Sequence, residues 1–117
     1  MAGLSQQECA PCRGDEPPLD RDAIDEMMRD IDDAWRLDEQ DGVPRIRRRF
    51  KVKGFQPAID LTVAVGRIAE EQGHHPTIVT QWGSVTVEWW THKIKGLHAN
   101  DFIMAAGTDE LYARFQG

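Results

Sequence analysis

The sequence predicts an α+β fold: a four-stranded antiparallel sheet with three helices packed on one face, in the order α-β-β-α-β-β-α. Three observations lead there. Apolar residues recur at helical spacing in three stretches, and β-branched or aromatic runs of strand length stand between them. Those runs come in two pairs, each closed by a tight-turn dipeptide, Asp41-Gly42 and Trp82-Gly83. At 117 residues the chain suits one domain with a hydrophobic core of its own.

Residues 1–18, with Gly3, Pro11, Gly14, Pro17 and Pro18 and little apolar periodicity, read as a flexible N-terminal arm, and the folded domain is expected over 19–117. At Asp20 an N-cap candidate opens acid-rich turns in which Ile24, Met27, Met28 and Ile31 share a face, so a first helix is expected to end near Asp32. Trp35 to Leu37 reads as a short strand, Asp38 to Pro44 as a turn, and Arg45 to Lys53 as the returning strand. Ile46, Arg48, Phe50 and Val52 fall on one side of it and Arg45, Arg47, Arg49 and Lys51 on the other, which leaves Arg48 as the misfit on the apolar side.

Phe55 to Gln72 carries the strongest helical pattern. Phe55, Ala58, Ile59, Leu61, Thr62, Val65, Ile68 and Ala69 form an arc broad enough to be buried on more than one flank, against the sheet and against another subunit. Gly73 closes this helix as a C-terminal cap, so its carboxyl end points at His74. Thr77 to Gln81 and Ser84 to Thr91 form the second hairpin. In the latter Val85, Val87, Trp89 and Thr91 alternate with Thr86, Glu88, Trp90 and His92, which sends His92 out on the polar face. Beyond Gly96, Asn100 or His98 can cap a last helix with Phe102, Ile103, Ala106 and Tyr112 as its stripe, weakened at Gly107 by up to about 1 kcal/mol relative to alanine. The sheet's other face needs cover or polarity, and Trp90 points to partial cover.

A formal charge of −6 and a pI near 5.1 argue against a nucleic-acid binder, which needs a basic face. With no long apolar run and no leader pattern, a soluble, cytoplasmic protein without a membrane partner is expected. The pair Cys9-Ala10-Pro11-Cys12 lies in the arm. It admits three readings: two reduced thiols, a disulfide or redox pair, or two of the ligands of a zinc ion completed elsewhere.

Chemistry concentrates around the histidines. His74, His75 and His92 lie within nineteen residues, with Glu70 before them and Asp101 after. Imidazole titrates near neutrality, which suits it to giving and taking protons at working pH. Adjacent side chains in extended backbone point apart, so a site shared by His74 and His75 requires an irregular path after Gly73, where Pro76 restricts His75 and removes a ladder donor. Glu70, one turn before His74, is placed to fix its tautomer. Three imidazoles suffice for a catalytic zinc, yet neighbouring histidines chelate one ion poorly and no HExxH run is present, so no metal is expected. Ser84 lacks a nucleophile elbow, and the cysteines lie in the arm.

Taken with their gaps, these residues resemble a known signature. Glu70, three residues, His74-His75-Pro76, five residues, Trp82, nine residues, His92, eight residues and Asp101 are similar to the full pattern of the pterin-4a-carbinolamine dehydratases. Phe50 through Phe55 and Thr91 through Phe102 extend the likeness, which covers roughly residues 20 to 113. The resemblance implies the same α+β fold, homodimers or homotetramers joined through helices, and dehydration of 4a-hydroxytetrahydropterin to quinonoid dihydropterin in tetrahydropterin recycling, without metal or organic cofactor. It implies His74 and His92 as general acid and base, His75 as the residue orienting the 4a-hydroxyl, and Glu70, Pro76, Trp82 and Asp101 as substrate-binding or supporting groups. The resemblance carries two other readings: animal members also serve as a dimerisation cofactor for a homeodomain transcription factor, and some microbial and plant relatives are linked with molybdenum-cofactor metabolism, which here would mean a pterin-binding or accessory role. One departure bears on substrate preference, because Thr77-Ile78-Val79 stands where animal members carry acidic and aromatic residues.

Overall fold

The computed structural model describes residues 17–116, so Cys9, Cys12 and most of the expected arm lie outside the described residues. The chain forms α1 (Arg21–Met28), β1 (Arg36–Gln40), β2 (Val43–Lys51), α2 (Phe55–Gln72), β3 (Thr77–Gln81), β4 (Ser84–Trp89) and α3 (Ala99–Gln116), with a 3-10 turn at His92–Ile94. All strand pairs are antiparallel, in the order β1-β2-β4-β3. Ile46, Phe50, Val85, Val87 and Trp89 share one face of the sheet, and they pack into one core with Ile24 of α1, Ala58, Leu61, Val65 and Ala69 of α2, and Phe102, Met104 and Ala105 of α3. The expected architecture is the observed one.

Local chemistry explains the boundaries. The Asp20 carboxylate accepts the Ala23 N–H at 2.9 Å and caps α1. That helix ends at Met28, four residues before the expected Asp32: the Arg29 and Asp30 N–H groups turn to carbonyls three residues back, Glu26 at 3.2 Å and Met27 at 3.0 Å, and beyond them the Asp32 carboxylate takes the Ala34 N–H at 2.9 Å in a local turn. Ile31 is buried all the same, outside the helix. β1 runs on to Gln40, through residues expected in the turn, since Asp41 and Gly42 both adopt positive φ, 54° and 79°, and form a complete two-residue connection. Pro18, assigned by composition to the arm, lies against Gly96, where a Cβ would come within 2.6 Å of it. The next residue, Leu19, donates its N–H to the Leu97 carbonyl at 2.9 Å.

Arg48, the misfit of β2, has its partners on the helix side. Its guanidinium lies 2.7 Å from Asp109 of α3 and 3.5 Å from Asp32, and Asp109 also accepts the Trp35 indole N–H at 2.8 Å. Burial pushes the Asp109 carboxyl above its ordinary value, against the Trp35 N–H and the Arg48 guanidinium, which pull it down. A group raised in this way contributes stability that is full below its unfolded value and is lost as pH rises through the folded one. Asp109→Ala is expected to cost about 3 kcal/mol at neutral pH by stranding Arg48, and more near about pH 4. Thermal melts of the two proteins at both pH values check this, and an Arg48→Met, Asp109→Leu pair should recover part of the loss.

Candidate active site

Gly73 sets the geometry. At φ 63° it occupies the left-handed region that glycine adopts at least cost, and the chain leaves α2 through paired hydrogen bonds, His74 N–H to Ala69 carbonyl at 3.0 Å and Gly73 N–H to Glu70 carbonyl at 3.2 Å. The two histidines that follow then part company. His74 is 9% exposed and turns inward, while His75 is exposed and folds back over the last turn of α2.

His74 is fixed from two directions. Its Nε2 lies 2.6 Å from Asp101 Oδ1. Its ring lies parallel to the Trp89 indole, 7° between planes and 5.8 Å between centres. Trp89 is held in turn by its own N–H, which donates to Thr108 Oγ1 at 3.3 Å. Asp101, 0% exposed, spends its other oxygen on the Thr91 hydroxyl and the His98 N–H, both at 2.9 Å. A carboxylate accepts, so the Nε2 of His74 carries a proton toward Asp101.

The same carboxylate organises the start of α3. His98 Nδ1 accepts the Asn100 N–H at 3.0 Å, while Asp101, three positions on, accepts the His98 N–H, a reciprocal cap of α3. One buried acid therefore joins the end of α2, the end of β4 and the beginning of α3. His92, exposed in the 3-10 turn beyond β4, reaches the same place from outside, with Nε2 3.4 Å from the His75 carbonyl.

One expectation needs correction, and one expected residue lies apart. Glu70 pairs with His75, Oε2 to Nε2 3.1 Å, and not with His74, because the left-handed turn at Gly73 takes His74 across the core to Asp101. Trp82 is not brought to the histidines within the chain: it is 77% exposed at the far end of the β3–β4 hairpin, roughly 20 Å of strand from Pro76. Pro76 lies between His75 and the start of β3. Sequence reasoning did not single out Thr91 or Trp89 for the site. The signal available for Thr91 was its inward place in the β4 alternation, one residue before His92. No group of three or more His, Cys, Asp or Glu side chains among the described residues is placed to hold a metal ion.

The family model for pterin 4 alpha carbinolamine dehydratase matches residues 17–111. The chain belongs to this family. Its relatives include a protein of Saccharophagus degradans provisionally named pterin-4-alpha-carbinolamine dehydratase, 52% identical over 112 residues, covering 96% of this chain and 98% of the relative. A similarly named protein of Gloeobacter violaceus is 50% identical over 111 residues, covering 95% of each. Among solved structures, the crystal structure of a transcriptional coactivator/pterin dehydratase from Brucella melitensis superposes with a TM-score of 0.72 at 28% identity, covering 81% of this chain and 98% of that one. The family's span begins at Pro17, where the described structure also begins, and it takes in all of the histidine site.

Proposed function

We propose that this protein dehydrates a 4a-hydroxytetrahydropterin to the quinonoid dihydropterin by histidine general acid–base catalysis, in the recycling of a tetrahydropterin cofactor. The observation that carries the reading is the Asp101–His74 pair, buried and 2.6 Å long, beside a second histidine tied to the same turn. Family membership supplies the substrate class.

The reaction breaks the C4a–O bond and removes the proton on N5, whose electron pair becomes the C4a=N5 double bond; hydroxide leaves as water once protonated. His74 suits the base. With Nε2–H held by Asp101, its Nδ1 has the lone pair, and the imidazolium formed on taking the N5 proton is stabilised by the carboxylate behind it. His92 then serves as the acid on the 4a-oxygen, and His75, on Glu70, orients that hydroxyl. Acid–base help of this kind is worth about 10²–10⁴-fold. Purified protein is expected to speed loss of chemically made 4a-carbinolamine above the buffer rate; a rate equal to buffer would overturn the proposal.

Self-association belongs to the same reading. Phe55, Ile59 and Val63 make an exposed apolar stripe on α2, clear of the buried Ala58, Leu61, Val65 and Ala69. No helix of the described residues is long and apolar enough to cross a membrane, and a second copy fits the stripe better than water does. Ile59→Glu with Val63→Glu is expected to lower the mass measured by light scattering while the monomer's fold, followed by circular dichroism, is kept.

A further inference from the structure

On the sheet face turned away from the helices, a row of side chains leads to His92 from outside the histidine site. Asp38 pairs with Arg47 at 2.6 Å, Arg47 with Glu88 at 3.4 Å, and Glu88 with Arg45 at 3.5 Å. The Arg45 guanidinium carbon lies 4.0 Å from the centre of the Trp90 ring, and the Trp90 and His92 rings lie 4.4 Å apart, tilted by 34°. The alternation of β2 put Arg45 on a wet face, yet it is only 8% exposed. Its Nε is buried without a hydrogen-bond partner.

That is a costly way to cover an indole. A buried cation with an unsatisfied donor is unfavourable, and an aliphatic side chain of similar length would cover Trp90 without the desolvation. What the guanidinium adds is a flat, charged seat, with the Glu88 carboxylate 3.5 Å away as its counter-charge, whose attraction for the indole holds the ring above it. His92 needs such support. Among the described residues its imidazole has the His75 carbonyl as hydrogen-bond partner, long at 3.4 Å, and its side chain is exposed, so that bond alone leaves the imidazole free to leave its rotamer. His74 has Asp101 and Trp89 for this purpose; His92 has Trp90.

We propose that Trp90, seated on Arg45, is a positioning residue that holds the His92 imidazole in its working rotamer. The proposal rests on the dehydratase reading for its kinetic consequence but not for the ring contact itself. Displacement of a catalytic group by about 1 Å can cost on the order of 10²-fold in rate, so removal of the indole should act on turnover and leave substrate binding nearly intact.

The experiment uses the full chain with Trp90→Leu, Trp90→Phe and Arg45→Met, each assayed on 4a-carbinolamine and each labelled on histidine for NMR of the His92 ring. Expected are a kcat lower by about 10- to 100-fold in Trp90→Leu with KM within about twofold, most of the rate regained in Trp90→Phe, and an intermediate loss in Arg45→Met. The His92 ring signals should show added rotamer averaging in the same order. Trp90→Leu with kcat within twofold of the parent would overturn the proposal; so would a raised KM at constant kcat, which would make Trp90 a substrate contact. If Trp90→Leu fails to fold, Arg45→Met, which keeps the indole, carries the decision. If the unaltered protein shows no turnover, it is the dehydratase reading that fails, and the ring signals still decide whether Trp90 orders His92.

Discussion

A variant carrying His74→Ala and His92→Ala is expected to lose about 10²–10⁴-fold in kcat on 4a-carbinolamine, while melting cooperatively. The two changes should separate by their effect on the fold. His92 is exposed, its imidazole 3.4 Å from the His75 carbonyl in a long hydrogen bond, and its removal should leave the melting temperature nearly unchanged. His74 is buried, and its removal leaves Asp101 Oδ1 without its 2.6 Å partner, a loss of about 1–3 kcal/mol. If His74 is the base and His92 the acid, each single variant should lose most of what the double loses, because the pair acts in one step and such effects do not add. Full rate in a folded double variant would remove the histidines from the mechanism altogether. Rates should be compared well below the lowest melting temperature of the set, so that unfolding does not pass for lost chemistry.

The contrast between these two histidines marks how far the sequence could be read. Elements with strong local signals were legible. The apolar arc and Gly73 bounded α2 at Phe55–Gln72, and the alternation in β4 put Val85, Val87, Trp89 and Thr91 inside and His92 outside. What was not legible depended on contacts far apart in the chain. A signature of fixed gaps gives order along the backbone, not distance in space, and so it treated Trp82 and Asp101 alike, although one lies at a remote hairpin tip and the other is the most buried acid of the site. Spacing on a helix suggested Glu70 for His74, but a single left-handed residue redirected the chain and gave Glu70 to His75. Arg45 and Arg48 stood on opposite sides of one strand, and both are largely buried because cross-sheet and helix-borne carboxylates, Glu88 and Asp109, meet them. Alternation alone could assign a side of the strand; it could not say what waits there.

Asp101→Asn should have the largest effect of any nearly isosteric change in this protein. The amide can keep its oxygen where the Thr91 hydroxyl and the His98 N–H donate, both 2.9 Å from the present Oδ2. Its NH2 group then faces His74 Nε2, where a donor meets a donor. The imidazole can resolve the conflict by exchanging tautomers, so that Nε2 accepts and Nδ1 carries the hydrogen. The fold would survive with a loss on the order of 1–3 kcal/mol, since a charge-assisted bond becomes a neutral one. The chemistry would not, because the nitrogen that should take the N5 proton would already hold one, and the carboxylate that stabilises the imidazolium would be gone. A fall in kcat of about 10²–10⁴-fold is expected, with KM little changed. Histidine nitrogen NMR should show the His74 hydrogen on Nδ1 in the variant and on Nε2 in the parent. An unchanged tautomer together with full turnover would mean that Asp101 only braces the start of α3, whereas the expected exchange with loss of rate would tie the buried acid to proton transfer through His74. Asp101→Ala provides the structural counterpart: it strands the Thr91 hydroxyl, the His98 N–H and His74 Nε2 at once, and should cost clearly more stability than the asparagine.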